Sequence, residues 1–262
     1  TSMNRLLNKP HKINIPVKPD LIDFIFVSDP VVCSFDFKPF KNAIKAYWTQ
    51  DYPYLNTYYT HILSTRIQRD YDVIFYAHED FKHRLNFQKP LYFLPYCYDP
   101  DIFKPLPTNN KIYDITFIGT INKRRKNLLD KLKEKMSNLY FCIGNAYQHD
   151  LCRVYNESKI VLNIHQTPLL GLNWRIFEVL GCKAFLMTEI NKEVELLFND
   201  KVELVEYEYN NINYLKEMIE YYLDNNDERE TIAGNGFRKV SNRYTIYHIV
   251  QNVLEILSSI KT

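Results

Sequence analysis

The chain has 262 residues, 46% of them hydrophobic and 24% charged, an ordinary balance for a soluble globular protein with room for one large domain or two smaller ones. A formal charge of +2 is too small to mark a polyanion-binding surface, which argues against nucleic acid as the default partner. Five widely spaced cysteines without a C-x-x-C pair suggest neither a disulfide framework nor a zinc site.

No run of 18 apolar residues exists and the N-terminus lacks the order of a signal peptide, so the expected setting is the reducing cytoplasm. Two domains are expected. In the first, short apolar runs at Asp23 to Ser28, Ala43 to Thr49, Tyr71 to His78 and Leu91 to Tyr96 read as strands. The stretch "YDPDIFKPLPTNNKIYD" carries three prolines and weak periodicity and reads as a crossing between domains, with 1–107 on one side and 108–262 on the other. Beyond it the pattern alternates. Strands are expected at Tyr113 to Ile118, Leu139 to Ile143, Ile160 to Ile164, Ala184 to Thr188 and Val202 to Glu206. Helices are expected at Lys123 to Met136, Ala146 to Ser158 and Trp174 to Leu180. Helical spacing also runs from Ile212 to Leu223 and from Ile246 to Leu257, the last helix being a candidate to pack back on the first domain. Repeated βα alternation in this second part implies a largely parallel sheet, within an α/β fold.

Ligands of open α/β sheets bind beyond the carboxyl ends of the strands, so three strand ends stand out. The first runs into Gly119 and Thr120, then into Lys123, Arg124, Arg125 and Lys126 at a helix start. Cations there oppose the helix dipole unless an anion such as a diphosphate sits among them; a solvated basic face is the alternative. The second, "SKIVLNIHQTP", places Asn163 and His165 last, as crevice residues or as a satisfied core histidine. In the third, "GLNWRIFEVLGCKAFLMTE", Asn173 is an expected N-cap and Gly181 an expected left-handed helix end. Arg175 and Glu178 share a face three residues apart. They form either a surface ion pair of little worth or a charged group and a ribose-binding carboxylate.

The segments "YDITFIGT", "SKIVLNIH" and "GLNWRIFEVLGCKAFLMTE", in that order over about residues 112 to 250, resemble the nucleotide-sugar-binding domain of CgeB-like, group 1 glycosyltransferases. Upstream, "AYWTQDYP" and "YDVIFYAHEDF" look like that family's N-terminal half. The resemblance implies a GT-B fold, two Rossmann-like domains facing a cleft, here with a short N-terminal one. It implies Gly119, Thr120 and Arg125 at the donor diphosphate and Asn145 near the base. Arg175 would lie at the diphosphate or sugar and Glu178 at the ribose hydroxyls; His165 and Asn173 join these as substrate-binding candidates on their strand-end and helix-start positions alone. Related enzymes often carry a second acid eight residues before that glutamate, where this chain has Leu170.

The implied activity is transfer of a sugar, hexosyltransferase-type, from a nucleotide-diphosphate sugar, UDP favoured. It would need no metal and no cofactor beyond the donor. The acceptor is open among glycan, protein, lipid-linked sugar, small molecule and modified DNA. A nucleotide-sugar epimerase and a non-catalytic nucleotide-sugar-binding subunit are the competing readings. An inverting transfer needs a base from the N-terminal half, and Asp29, Asp51 and His78 with Glu79 lie at strand ends there. Asp51 is the first choice, with capping of the next turn as its alternative, and His78 is the second.

Overall fold

The computed structural model describes residues 18–28, 35–50, 65, 67–79, 81–82, 87–107, 110–167 and 171–261. The chain divides into two compact units, Thr1–Pro95 with Gln251–Thr262, and Tyr96–Val250. Each is built on a parallel sheet.

In the first unit, β1 (Phe24–Ser28), β2 (Ile44–Thr49), β3 (Val73–Tyr76) and β4 (Leu91–Phe93) pair in sequence order, all parallel. Every residue of β3 is buried, as a parallel strand covered on both faces requires. Tyr47, Ile67, Tyr71, Ile74 and Phe81 pack as its core. Trp48 donates its indole N–H to the Leu94 carbonyl at 3.0 Å, which satisfies the one polar atom of a buried ring.

The second unit alternates strands and helices: β5 (Tyr113–Ile118), α1 (Lys123–Lys135), β6 (Phe141–Gly144), α2 (Gln148–Asn156), β7 (Ser158–Asn163), α3 (Trp174–Gly181), β8 (Leu186–Glu189), α4 (Lys192–Glu195) and β9 (Val205–Tyr207). Helices α5 (Ile212–Asp224) and α6 (Asn226–Arg243) follow, and α7 (Ile246–Lys261) runs from this unit into the first. The strand order is β6-β5-β7-β8-β9, all parallel. The chain therefore reverses its winding direction between β5 and β7, the switch point at which doubly wound sheets open a crevice. Ile115 and Phe117 of β5, Ile160 and Leu162 of β7, and Leu128 and Leu132 of α1 share one buried cluster with Phe185 and Ile219. No helix among the described residues is long and apolar enough to cross a membrane.

Two local expectations are corrected, and one helix is unannounced by the sequence. The strand expected at Val202 to Glu206 is β9, Val205–Tyr207, because residues 201–203 form a turn in which Lys201 has φ 59°. Helix α6 has too weak an apolar stripe to announce itself. It is held instead by packing, with Gly236 letting the Glu203 carbonyl and Leu180 of α3 approach where a Cβ would stand. At the end of α3 the residue with positive φ is Lys183, at 53°, while Gly181 serves close packing of the Tyr98 ring.

Candidate functional site

Most of the singled-out residues of the second unit meet at the carboxyl ends of β5 and β7. Strand β5 ends at Ile118, and Gly119 follows with φ 145°, a conformation open to glycine. The Arg175 guanidinium of α3 occupies the place its Cβ would take. Arg175 donates to the Ile118 carbonyl through Nε (3.1 Å) and Nη2 (2.5 Å), and to Asn163 Oδ1 through Nη1 (2.8 Å). Its charge also lies over the Phe117 ring at 4.8 Å. One arginine thus ties the ends of both switch-point strands to α3.

Arg125 makes a second tie. It sits in the first turn of α1 behind Asn122, whose side chain caps the helix by accepting from the Arg125 N–H at 2.9 Å. Its Nε donates to Ile164 O at 2.9 Å and its Nη1 to Thr120 O at 2.8 Å. Burial, then the nearby Arg175 and Arg124, lower it to about 10. Arg124 pairs through both terminal nitrogens with Glu189 at the end of β8, one contact being 2.8 Å, and also donates to His165 O at 2.9 Å. It stacks 3.6 Å above the Tyr209 ring. The His165 side chain is buried, and the His165 backbone N–H donates to Glu189 Oε2 at 3.3 Å. Three guanidinium groups therefore converge at a helix N-terminus, where the dipole is also positive.

Asn173 holds the N-cap position of α3, as expected, but makes no side-chain capping hydrogen bond. Its Nδ2 donates to Asn163 Oδ1 at 3.2 Å instead. Its Oδ1, and the nearby-in-sequence Thr167 Oγ1, are buried and carry no hydrogen bond among the described residues. Glu178 lies one turn into the helix. Arg175 is committed elsewhere, and no salt bridge joins the two among the described residues. Burial raises the Glu178 carboxyl to about 7, against the pull of the Arg175 charge.

Asn145 is exposed just beyond β6, the strand on the other side of β5, and Gly119 N–H donates to Gly144 O at 2.9 Å between the two loops. His78 belongs to the first unit, buried, with Nε2 3.1 Å from Gln50 O, so that nitrogen acts as a donor. Asp51, Asp29 and Leu170 lie outside the described residues. Sequence reasoning passed over Glu189 and the pairing role of Arg124. The strand-end rule that found Asn163 would also have found a carboxylate closing "FLMTE".

A family model described as glycosyl transferase-like matches residues 124–255, just over half of the chain. The chain belongs to the glycosyl transferase-like family. Its fold is GT-B, shared with solved glycosyltransferases. HepE of Anabaena, in complex with UDP-glucose, superposes with a TM-score of 0.68 at 12% identity over 90% of this chain and 79% of that one. Sucrose-phosphate synthase of Thermosynechococcus elongatus gives 0.64 at 11% identity over 84% and 68%. A glycosyltransferase of Rickettsia africae gives 0.62 at 15% identity over 91% and 76%. No curated protein matches this glycosyltransferase-family chain in sequence.

Proposed function

We propose that this chain transfers a hexose from a UDP-sugar to a hydroxyl acceptor, without a metal ion, and that it is of the CgeB-like kind its motifs resemble. The observation that carries the reading is the convergence of Arg124, Arg125 and Arg175 on the positive N-terminal end of α1, with no acidic residue in its first turn. Glu189 already pairs with Arg124, while Arg125 and Arg175 are held by carbonyl and amide oxygens with no carboxylate partner of their own among the described residues; a leaving diphosphate is the anion the family's chemistry produces for them. Gly119 and Thr120 line the diphosphate, with Arg125 and Arg175 holding the loop ends in place and supplying charge. Glu178, half-buried and unpaired by Arg175, accepts the ribose hydroxyls. The buried Asn173 Oδ1 gains a donor hydroxyl, His165 backs the loop, and Asn145 flanks the base. HepE is solved with UDP-glucose, which supports UDP over other nucleotides.

In this reading the first unit supplies the acceptor side, with Asp51 as base and His78 as the next choice. A thermal-shift screen of nucleotide sugars, followed by mass spectrometry of donor hydrolysis, tests the proposal. Stabilisation by UDP-sugars with release of UDP is expected. Stabilisation by none of them, or an epimerised donor with no sugar released, counts against it.

A further inference from the structure

Two buried thiols meet behind the helix that carries Arg175 and Glu178. Cys152 of α2 and Cys182 at the cap of α3 are each 2% exposed, and their sulfurs are 3.7 Å apart. The Cys152 sulfur accepts from the Cys182 S–H and, at 3.5 Å, from Asn156 Nδ2, and its own S–H donates to the Lys104 carbonyl, 3.5 Å from the sulfur. The hydrogen bond from Cys182 lowers the Cys152 thiol to about 6 against its burial, while burial pushes Cys182 well above the ordinary thiol value. Cys97 lies at the other extreme, driven up to about 12 by burial and then by the Asp99 charge. A stabilised thiolate beside a second thiol is the pairing in which oxidation at one sulfur is resolved by the other.

We propose that Cys152 and Cys182 form an intramolecular disulfide when the protein meets a peroxide, and that this bond weakens donor binding at α3. The second half rests on the donor-site reading above. In the first step the Cys152 thiolate attacks the peroxide: an S–O bond forms, the O–O bond breaks, and hydroxide leaves to become water. In the second, the Cys182 sulfur attacks the Cys152 sulfur: the S–S bond forms, the S–O bond breaks, and the departing oxygen takes the Cys182 proton as water. Two thiols and one hydrogen peroxide thus give one disulfide and two waters. Peroxide is small enough to enter as α2 opens locally, since the flanking His149, Asp150 and Arg153 are already exposed.

The link to the donor site is a hydrogen bond. The Cys182 N–H donates to the carbonyls of Glu178 and Val179, both at 3.1 Å. Closing the sulfurs from 3.7 Å to the ~2.05 Å of a disulfide draws on the last turn of α3, and through it on the backbone of Glu178.

The experiment treats the full chain, dilute and reduced, with hydrogen peroxide. It maps thiols by alkylation and non-reducing peptide mass spectrometry, and titrates UDP calorimetrically before oxidation, after it, and after added dithiothreitol. A Cys152–Cys182 cross-link is expected, with UDP affinity lowered about tenfold and restored by dithiothreitol. Cys152→Ser should bind UDP as the reduced protein does and lose its response to peroxide. Both thiols still alkylated after oxidation, or a cross-link with UDP affinity unchanged, overturns the proposal. A reduced protein that binds no UDP overturns the donor-site reading instead, and the disulfide then stands or falls on the mapped cross-link.

Discussion

Arg175 is placed by the side chain that Gly119 lacks. Any Cβ at 119 meets the guanidinium, and φ 145° disfavours every other residue there. Gly119→Ala should therefore lower stability by about 1–3 kcal/mol in urea unfolding and weaken UDP binding as Arg175 is displaced. Unchanged stability would mean that the loop relaxes and the contact is incidental. Glu178 predicts a pH dependence of two opposite signs. Its carboxyl, raised to about 7 by burial, binds its proton more tightly folded than unfolded. Its contribution to stability is thus complete below the unfolded value and is lost as pH rises through about 7. Binding of ribose hydroxyls to the ionised carboxylate runs the other way. Affinity for UDP-glucose, whose diphosphate does not titrate here, should rise about tenfold per pH unit up to neutrality and then level off. Glu178→Gln should flatten that profile, and a wild-type profile already flat from pH 5.5 to 8 would sink the assignment. At this scale Arg175 and Glu178 were conspicuous in the sequence as charges within an apolar run. That they decline each other was not, because the partners of Arg175, Ile118 O and Asn163, lie 57 and 12 residues away.

Helix α1 is legible as an element and puzzling as a stable one. Its first turn has no acid and its last holds Lys133 and Lys135, so only the C-terminal end suits the dipole. Arg125→Ala should lower affinity for UDP by about 1.5–3 kcal/mol, the range of a lost charge-assisted hydrogen bond. Arg125→Lys should recover only part, since one ammonium cannot reach both Ile164 O and Thr120 O. Full affinity in the alanine variant would return the basic turn to the status of a solvated face. Helix α6 shows the converse. In "NDERETIAGNGFRKVSNR" the buried positions are few and two glycines interrupt them, so periodicity alone does not reveal it. Gly236→Ala would gain about 1 kcal/mol in helix propensity. The added methyl must displace the Glu203 carbonyl and Leu180, so a net fall in melting temperature is expected; a rise would show that α6 is loosely held.

For the whole molecule, βα alternation in the second part was enough to expect a largely parallel sheet there, and that sheet is parallel, as is the first. The order β6-β5-β7-β8-β9 is another matter. Strand neighbours separated by a helix leave no mark on local periodicity, so the switch point that gathers Gly119, Arg125 and Arg175 is visible only once the sheet is assembled. The catalytic half of the account rests on the first unit: Asp51→Asn should slow UDP release from UDP-glucose by about 10²-fold or more with donor affinity intact. Near-normal release with a lower melting temperature would make Asp51 structural and His78 the next residue to replace. The claim on which everything else depends is that the carboxyl end of the second sheet is a metal-independent UDP-sugar site. Calorimetric titration of UDP-glucose in EDTA, with wild type, Arg125→Ala and Glu178→Ala side by side, tests it most directly. Wild-type binding that survives the chelator and weakens by about 1.5–3 kcal/mol in each folded variant is the predicted result; binding abolished by EDTA, or equal in all three proteins, would contradict it.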